Sequence, residues 1–308
     1  MNRAVVGPQY ERHVEMLALM ASLLITPAAL WTTIRTQRSH GSGSAGFGPY
    51  DWRPMDVVFG KHSVRAVFLA RPEAVRRVVM RDGAARYLGE FVEMARAAGV
   101  EPELVRSGEF LRMGGFTEED KHQGIFVVTE PVPVLGEHDL ALLAGASVVL
   151  VLDQVSNPQN FGTILRTAAF FGLDAVLWLK NRSVDLSPTV SRVAVGGAEF
   201  VRLFRVTNLA RSLGTLKELG FWVYGLDERG ERTLSQVGFE SKVALVVGAE
   251  GEGLRQRTKE SCDELVRIAG GRRGVESLNA GVAAAVAIAE VLRDRPACGG
   301  SGAEEPIG

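Results

Sequence analysis

The sequence predicts an α/β protein: a parallel sheet flanked by helices, preceded by a smaller α/β domain. Three observations carry this. From Ser147 onward, short continuous apolar runs alternate with longer helical patterns, as strands buried on both faces between covering helices do. Between Asp56 and about Pro133 the pattern is compact and mixed, and Pro131, Pro133 and Gly136 then mark a hinge. With 308 residues the chain has length for two domains and a sizeable core.

Residues 1–54 are unlike the rest. Met16 to Trp31 is a mostly apolar run of sixteen, broken by Ser22, Thr26 and Pro27. That is short of the roughly 20 residues a membrane span needs. Glu11 and Glu15 precede it and no A-x-A cleavage pattern is evident, so a flexible N-terminal extension fits better than a signal or transit peptide. No membrane anchor is expected. His40 to Tyr50 is a flexible linker by composition.

The small domain spans residues 55–135. Val57–Phe59 and Gly124–Thr129 read as strands, and His62–Leu69 and Leu88–Ala98 as helices. The larger domain spans residues 145–295. Its strands are Val148–Leu152, Ala175–Leu179, Val201–Phe204, Phe221–Gly225 and Val243–Val247, with helical patterns at Asn160–Phe171, Pro188–Val195 and Asn208–Leu219. A short strand ending near Ile268 then breaks into a loop with Gly270, Gly271 and Gly274. The helix that follows, to about Arg293, is apolar almost all round, with Leu278, Val282, Val286 and Ile288 among alanines. Such a helix is expected to be buried, its small side chains letting backbone approach closely. Ser277 and Asn279 at its start read either as a cap or as polar groups facing a small molecule. Residues 296–308 read as a disordered tail.

Composition narrows the chemistry. A net charge of −1 gives no global basic field, so any nucleic-acid contact must be local. Only six of the 35 basic residues are lysine; the arginines supply the planar fork that suits phosphate. Cys262 and Cys298 are too few for a disulfide framework or a cysteine zinc site, which fits a reducing, cytoplasmic setting. No histidine lies beyond His138, so the C-terminal half works without imidazole, and no cluster of metal ligands lies there.

Ligands of parallel sheets sit beyond the carboxyl ends of the strands. That rim carries three motifs. The first runs Asn157-Pro-Gln-Asn160-Phe-Gly162-Thr-Ile-Leu-Arg166, with Arg166 on the opening helix and expected to face the same rim as the helix start. The second is Gly248-Ala249-Glu250-Gly-Glu-Gly253-Leu, directly after a strand; it lacks the G-x-G-x-x-G spacing of a dinucleotide loop. The third is Ser277-Leu278-Asn279. Each alone is a tight strand-to-helix turn, but the three in this order are far more specific.

Together, N-P-Q-N-F-G-T-I-L-R-T-A, V-V-G-A-E-G-E-G-L and S-L-N-A-G-V-A-A-A-V-A-I-A-E resemble the SpoU (TrmH) family of RNA ribose 2′-O-methyltransferases, over about residues 147–293. Phe59-Gly-Lys-His-Ser-Val64 with Lys121-His-Gln-Gly124 also looks like the small, L30e-like substrate-binding domain of many members. Ala280-Gly281 departs from the common Val-Ser after S-L-N, the 270s loop is arginine-rich, and the N-terminal 54 residues have no counterpart. The resemblance implies a deep C-terminal trefoil knot, a homodimer whose sites are shared between chains, and S-adenosylmethionine as methyl donor without metal. It further implies that Gly248, Ala249, Gly253, Ile268, Ser277 and Leu278 cradle the donor. Asn160, Arg166, Glu250, Ser277 and Asn279 are then the catalytic set. Methyl transfer to a ribose hydroxyl is an in-line displacement needing alignment and help with the proton. A guanidinium stays protonated, so Arg166 is expected to orient the hydroxyl and steady charge, with a substrate phosphate or Glu250 as proton acceptor. Ribosomal RNA guanosine is the expected substrate, with transfer RNA or a non-catalytic RNA-binding role as alternatives. In the small domain, Lys61, His62, Arg65, Arg76, Arg77 and Arg81 are expected to meet RNA phosphates.

Overall fold

The computed structural model describes residues 55–270 and 277–295, with Ala85 in its backbone alone. The N-terminal extension, the 40–50 linker, Gly271, Gly274 and the tail lie outside these residues. The described chain forms two compact units. One contains residues 55–134, 138–145 and 186–200; the other contains residues 135–137, 146–185, 201–270 and 277–295.

The first unit is built on β1 (Asp56–Phe59), β2 (Val75–Arg81), β3 (Glu103–Val105) and β4 (Ile125–Thr129), with α1 (Lys61–Ala70), α2 (Gly89–Ala97) and α3 (Ser107–Gly114). The sheet order is β1-β4-β2-β3. β4 is buried at every residue and antiparallel to both neighbours. Side chains alternate along a strand, so the sheet serves two cores. Val78, Met80, Ile125 and Val127 pack with Val64, Val67 and Phe91 on one side. Val79, Phe126 and Val128 pack with Phe110 and Met113 on the other. Sequence reading misses β2 because Arg76 and Arg77 interrupt its apolar run. The strand accommodates them through a register shift between Val75 and Arg77, and pairs each with a carboxylate.

The second unit holds β5 (the Leu135 end of Val134–Leu135), β6 (Val148–Asp153), β7 (Ala175–Leu179), β8 (Arg202–Val206), β9 (Trp222–Leu226), β10 (Arg232–Thr233), β11 (Val243–Gly248) and β12 (Glu264–Arg267). Their order is β10-β12-β9-β11-β6-β7-β8-β5, and the registers from β10 to β8 are all parallel. β6, β7 and β11 are buried at every residue, which is why they read as unbroken apolar runs. The helices here are α4 (Pro158–Phe170), α6 (Leu209–Glu218), α7 (Gln256–Ser261) and α8 (Ala280–Leu292), while α5 (Pro188–Ala194), between β7 and β8 in the chain, lies in the first unit. β6 and β11 lie side by side, Gly248 opposite Asp153, and the chain leaves them towards opposite sheet edges. That switch point opens the crevice at the carboxyl ends. No helix among the described residues is long and apolar enough to cross a membrane.

Two features differ from the sequence reading. α5, which fell within the strand–helix alternation, belongs to the first unit and packs on β1. Its segment is anchored there by Glu199, whose carboxylate accepts from Arg71 Nε at 2.6 Å with both side chains under 5% exposed. Arg71 Nη1 also donates to the carbonyls of Glu130 and Pro131. A buried guanidinium needs such partners, and the two residues are 128 apart in sequence. α8 is not buried all round. Ala280, Gly281, Ala284, Ala287, Ile288 and Val291 pack inward, the helix lying against α4 and β11. Leu278, just before the helix, and Val282 and Val286 on it form a stripe 40–47% exposed.

Candidate active site

α4 starts where it does because Asn157 caps it, its Oδ1 accepting from Gln159 N at 2.8 Å, with Pro158 at the first position. Asn160, the third residue, is buried. α8 starts at Asn279, whose Oδ1 accepts from the backbone N–H of Gly281 at 3.0 Å and Val282 at 3.4 Å. Those donors fix the amide's orientation, because only its oxygen can accept them. Nδ2 therefore points away and donates to Asn160 Oδ1 at 2.8 Å and Glu250 Oε2 at 3.2 Å. With its oxygen taken, Asn160 presents Nδ2, which donates to the same Glu250 Oε2 at 2.9 Å. The three rim motifs thus meet in one hydrogen-bonded cluster. Asn279 is the cap of α8 by its oxygen and joins Asn160 to Glu250 by its nitrogen.

Glu250 sits on a tight turn after β11, closed by reciprocal bonds between Ala249 and Gly253 of 3.2 and 2.9 Å. A Cβ on Gly248 would fall 2.2 Å from the Gly253 carbonyl carbon, so no side chain fits. Gly251 and Gly253 adopt left-handed φ of 84° and 67°. The glycines serve turn geometry and close approach, not a phosphate loop. Glu250 Oε2 lies against residues that begin two 13-residue helices, where negative charge is favoured. Oε1 makes no hydrogen bond to a described residue.

Asp153 and Arg255 were not singled out by sequence. Asp153 is fully buried at the end of β6; its Oδ2 accepts from Arg255 N at 3.0 Å and its Oδ1 from Arg255 Nε at 2.7 Å. The available signal was an acid closing the apolar run V-V-L-V-L-D, because a buried carboxylate demands a partner.

Arg166 is exposed, in a stripe with Gln159, Thr163 and Phe170. Six residues at about 100° each turn it roughly 120° from Asn160, so it leaves α4 on a different face from the cluster. No hydrogen bond or ion pair to a described residue engages its guanidinium. Ser277 and Leu278 are exposed, Ile268 and Ala249 half-buried and Gly248 buried. A Cβ at Gly251 or Gly270 would meet nothing within 4 Å. Among the described residues no group of three or more His, Cys, Asp or Glu could hold a metal ion.

In the first unit the F-G-K-H-S-V and K-H-Q-G segments meet: Lys61 N donates to Gln123 Oε1 at 2.8 Å and Gly60 N to the Ile125 carbonyl. His122 is buried against Phe110 and Phe116, its Nδ1 accepting from Gly124 N at 3.0 Å. Burial, with Arg81 nearby, holds its pKa below the ordinary imidazole value. Of the six expected phosphate-binding residues, three are taken up by carboxylates: Arg65 by Glu90, Arg76 by Glu130 and Arg77 by Glu103. Lys61, His62 and Arg81 carry no ion pair among the described residues.

Two amides gathered on one carboxylate at the carboxyl ends of a parallel sheet fit a group-transfer enzyme, and the comparisons give its class as methyltransferase. The profile described as the SpoU rRNA Methylase family matches residues 147–289, and that described as RNA 2′-O ribose methyltransferase substrate binding matches residues 57–135. The chain is 38% identical over 245 residues to the 23S rRNA (guanosine-2′-O-)-methyltransferase RlmB of Bordetella pertussis, covering 78% of this chain and 97% of that protein. It is 40% identical over 239 residues to RlmB of Ralstonia nicotianae, covering 76% and 91%. The crystal structure of an AdoMet-bound rRNA methyltransferase from Sinorhizobium meliloti shares the fold, with a TM-score of 0.65 at 17% identity over 94% of this chain and 98% of that one. The protein belongs to the SpoU rRNA methylase family.

Proposed function

We propose that this protein methylates the ribose 2′-hydroxyl of a guanosine in ribosomal RNA, using S-adenosylmethionine, as a cytoplasmic homodimer. The observation that carries the reading is the Asn160–Glu250–Asn279 cluster, which ties three distant motifs into one site. The RlmB relatives, named for 23S rRNA guanosine, support the substrate. Residues 145–295, apart from the 186–200 segment that belongs to the first unit, form the catalytic domain, and residues 55–135 an L30e-like RNA-binding domain. The insertion of β12 between β10 and β9, with α8 lying back on α4 and β11, supports a C-terminal trefoil knot.

When bound, the donor supplies an electrophilic methyl group on sulfur. The backbone of Gly248, Ala249 and Gly253, with Ile268, Ser277 and Leu278, would hold it. Asn160 and Asn279 hold Glu250 in one place. Glu250 Oε2 has both amide donors, so its task is to keep this cluster rigid and to offer Oε1 as a fixed acceptor. Arg166 turns the hydroxyl and steadies charge as its proton leaves to a substrate phosphate. A guanidinium facing away from the cluster of its own chain fits a site completed by a second copy. The exposed stripe of Leu278, Val282 and Val286, together with an exposed Phe170 on α4, supports that copy as its occupant.

The test is a map of 2′-O-methylation across ribosomal RNA in a deletion strain against its parent. Loss of one guanosine methylation, restored by the wild-type chain, is expected. Unchanged ribosomal RNA would overturn the proposal.

A further inference from the structure

The geometry points to Asp153 and Arg255 as the pair that positions Glu250. The inference rests on the part given to Glu250 above. The turn bearing Glu250 leaves β11 at Gly248 and ends at Leu254, next to Arg255. Within it the only cross-links are the paired bonds of Ala249 and Gly253. These close the turn on itself; the Glu250 carboxylate is held by Asn160 and Asn279, and the backbone beneath it by Asp153. It is the last residue of β6, in register with Gly248 where the turn begins, and it holds Arg255 where the turn ends, through both backbone N and Nε. The turn is therefore fixed at both feet to one fully buried residue. Asp153 also stands four residues before the cap of α4, the helix that carries Asn160. One carboxylate so references both the acceptor, Glu250, and its donor, Asn160, to the end of the same strand.

The pairing is directional. A carboxylate with two oxygens in use fixes rotation of the turn as well as its distance, which one bond would not. Asp153 is out of reach of solvent, and Arg255 is half-exposed, so the anchoring charge is the buried one. Asp153 is a positioning residue: buried behind the turn, it acts through Glu250 and not on substrate or donor.

The test is a double-mutant cycle in the full chain, reading single-turnover RNA methylation, donor affinity by calorimetry and the KM for RNA. Glu250→Gln and Asp153→Asn are each expected to slow turnover by about 100-fold, the scale of displacing a site by about an ångström. The KM for RNA stays within about threefold, because the RNA-binding unit is untouched. The double variant is expected to fall no more than about threefold below Glu250→Gln alone, since a residue acting through Glu250 has nothing further to lose. Both substitutions at Arg255 keep the backbone donor, and Arg255→Lys, which also keeps a cation for Asp153, should retain more activity than Arg255→Met. Should Asp153→Asn fail to melt cooperatively, Arg255→Met takes its place in the cycle. Losses that multiply in the double variant, or a fully active Asp153→Asn, overturn the positioning role while leaving Glu250 in place. A fully active Glu250→Gln removes the footing of both.

Discussion

Asn279 Nδ2 donates to Asn160 Oδ1 at 2.8 Å across 119 residues of chain, while the Asn279 oxygen caps α8. One side chain thus joins helix initiation to site assembly. Its orientation is dictated by backbone N–H groups, which accept no alternative to an oxygen.

That dual use can be separated. Asn279→Ala should lose about 1 kcal/mol of stability with the cap and at least tenfold in methylation. Asn279→Asp keeps the cap but sets a carboxylate against Glu250. It should melt above the alanine variant and still be as inactive. Wild-type turnover in the aspartate variant, measured beside the melting curves, would mean that the bridge carries no chemistry.

Arg166→Ala should fold and bind donor normally, yet methylate roughly 100-fold more slowly, the scale of losing one well-placed electrostatic group. Arg166→Lys should recover little, because an ammonium cannot reproduce the fork. Donor affinity and single-turnover rates taken together decide it; near-normal turnover in the alanine variant removes the role.

If the first unit meets RNA phosphates, its unpaired cations should matter more than its paired ones. Lys61→Ala and Arg81→Ala should each weaken binding and flatten the dependence on salt by about one counterion. Arg65→Ala, whose guanidinium already holds Glu90, should change the slope less. Equal effects from all three would return the surface to a merely solvated basic face.

Val286→Glu places a charge in the exposed apolar stripe of α8. Sedimentation should find wild type as a dimer and the variant as a monomer, with methylation falling alongside. A dimeric variant would move the interface elsewhere.

Burial pushes the Cys262 thiol up to about 12. The thiolate is the reactive form, and below that pH the group stays protonated. In a Cys298→Ser background, alkylation at pH 8 should be at least about 100-fold slower in the folded protein than after unfolding. Equal rates, followed by mass spectrometry, would show an open site.

Sequence by itself determined the parallel sheet, because strands covered on both faces must be apolar without interruption, as β6, β7 and β11 are. It also determined which motifs share a rim, because parallel strands put all their carboxyl ends on one edge. It could not find β2, where arginines paired to Glu103 and Glu130 sit in a strand. Nor could it assign α5 to the first unit, since the buried bond that anchors its segment joins Arg71 to Glu199 across 128 residues. Only the tertiary structure decided that Asn279 is both cap and bridge, that Arg166 faces away from Asn160, that half of the expected phosphate-binding residues are occupied by carboxylates, and that Asp153 holds the turn of Glu250. The physical reason is common to these. Periodicity records which face of an element is apolar, whereas a hydrogen bond or ion pair depends on where two distant polar groups arrive once those faces have packed.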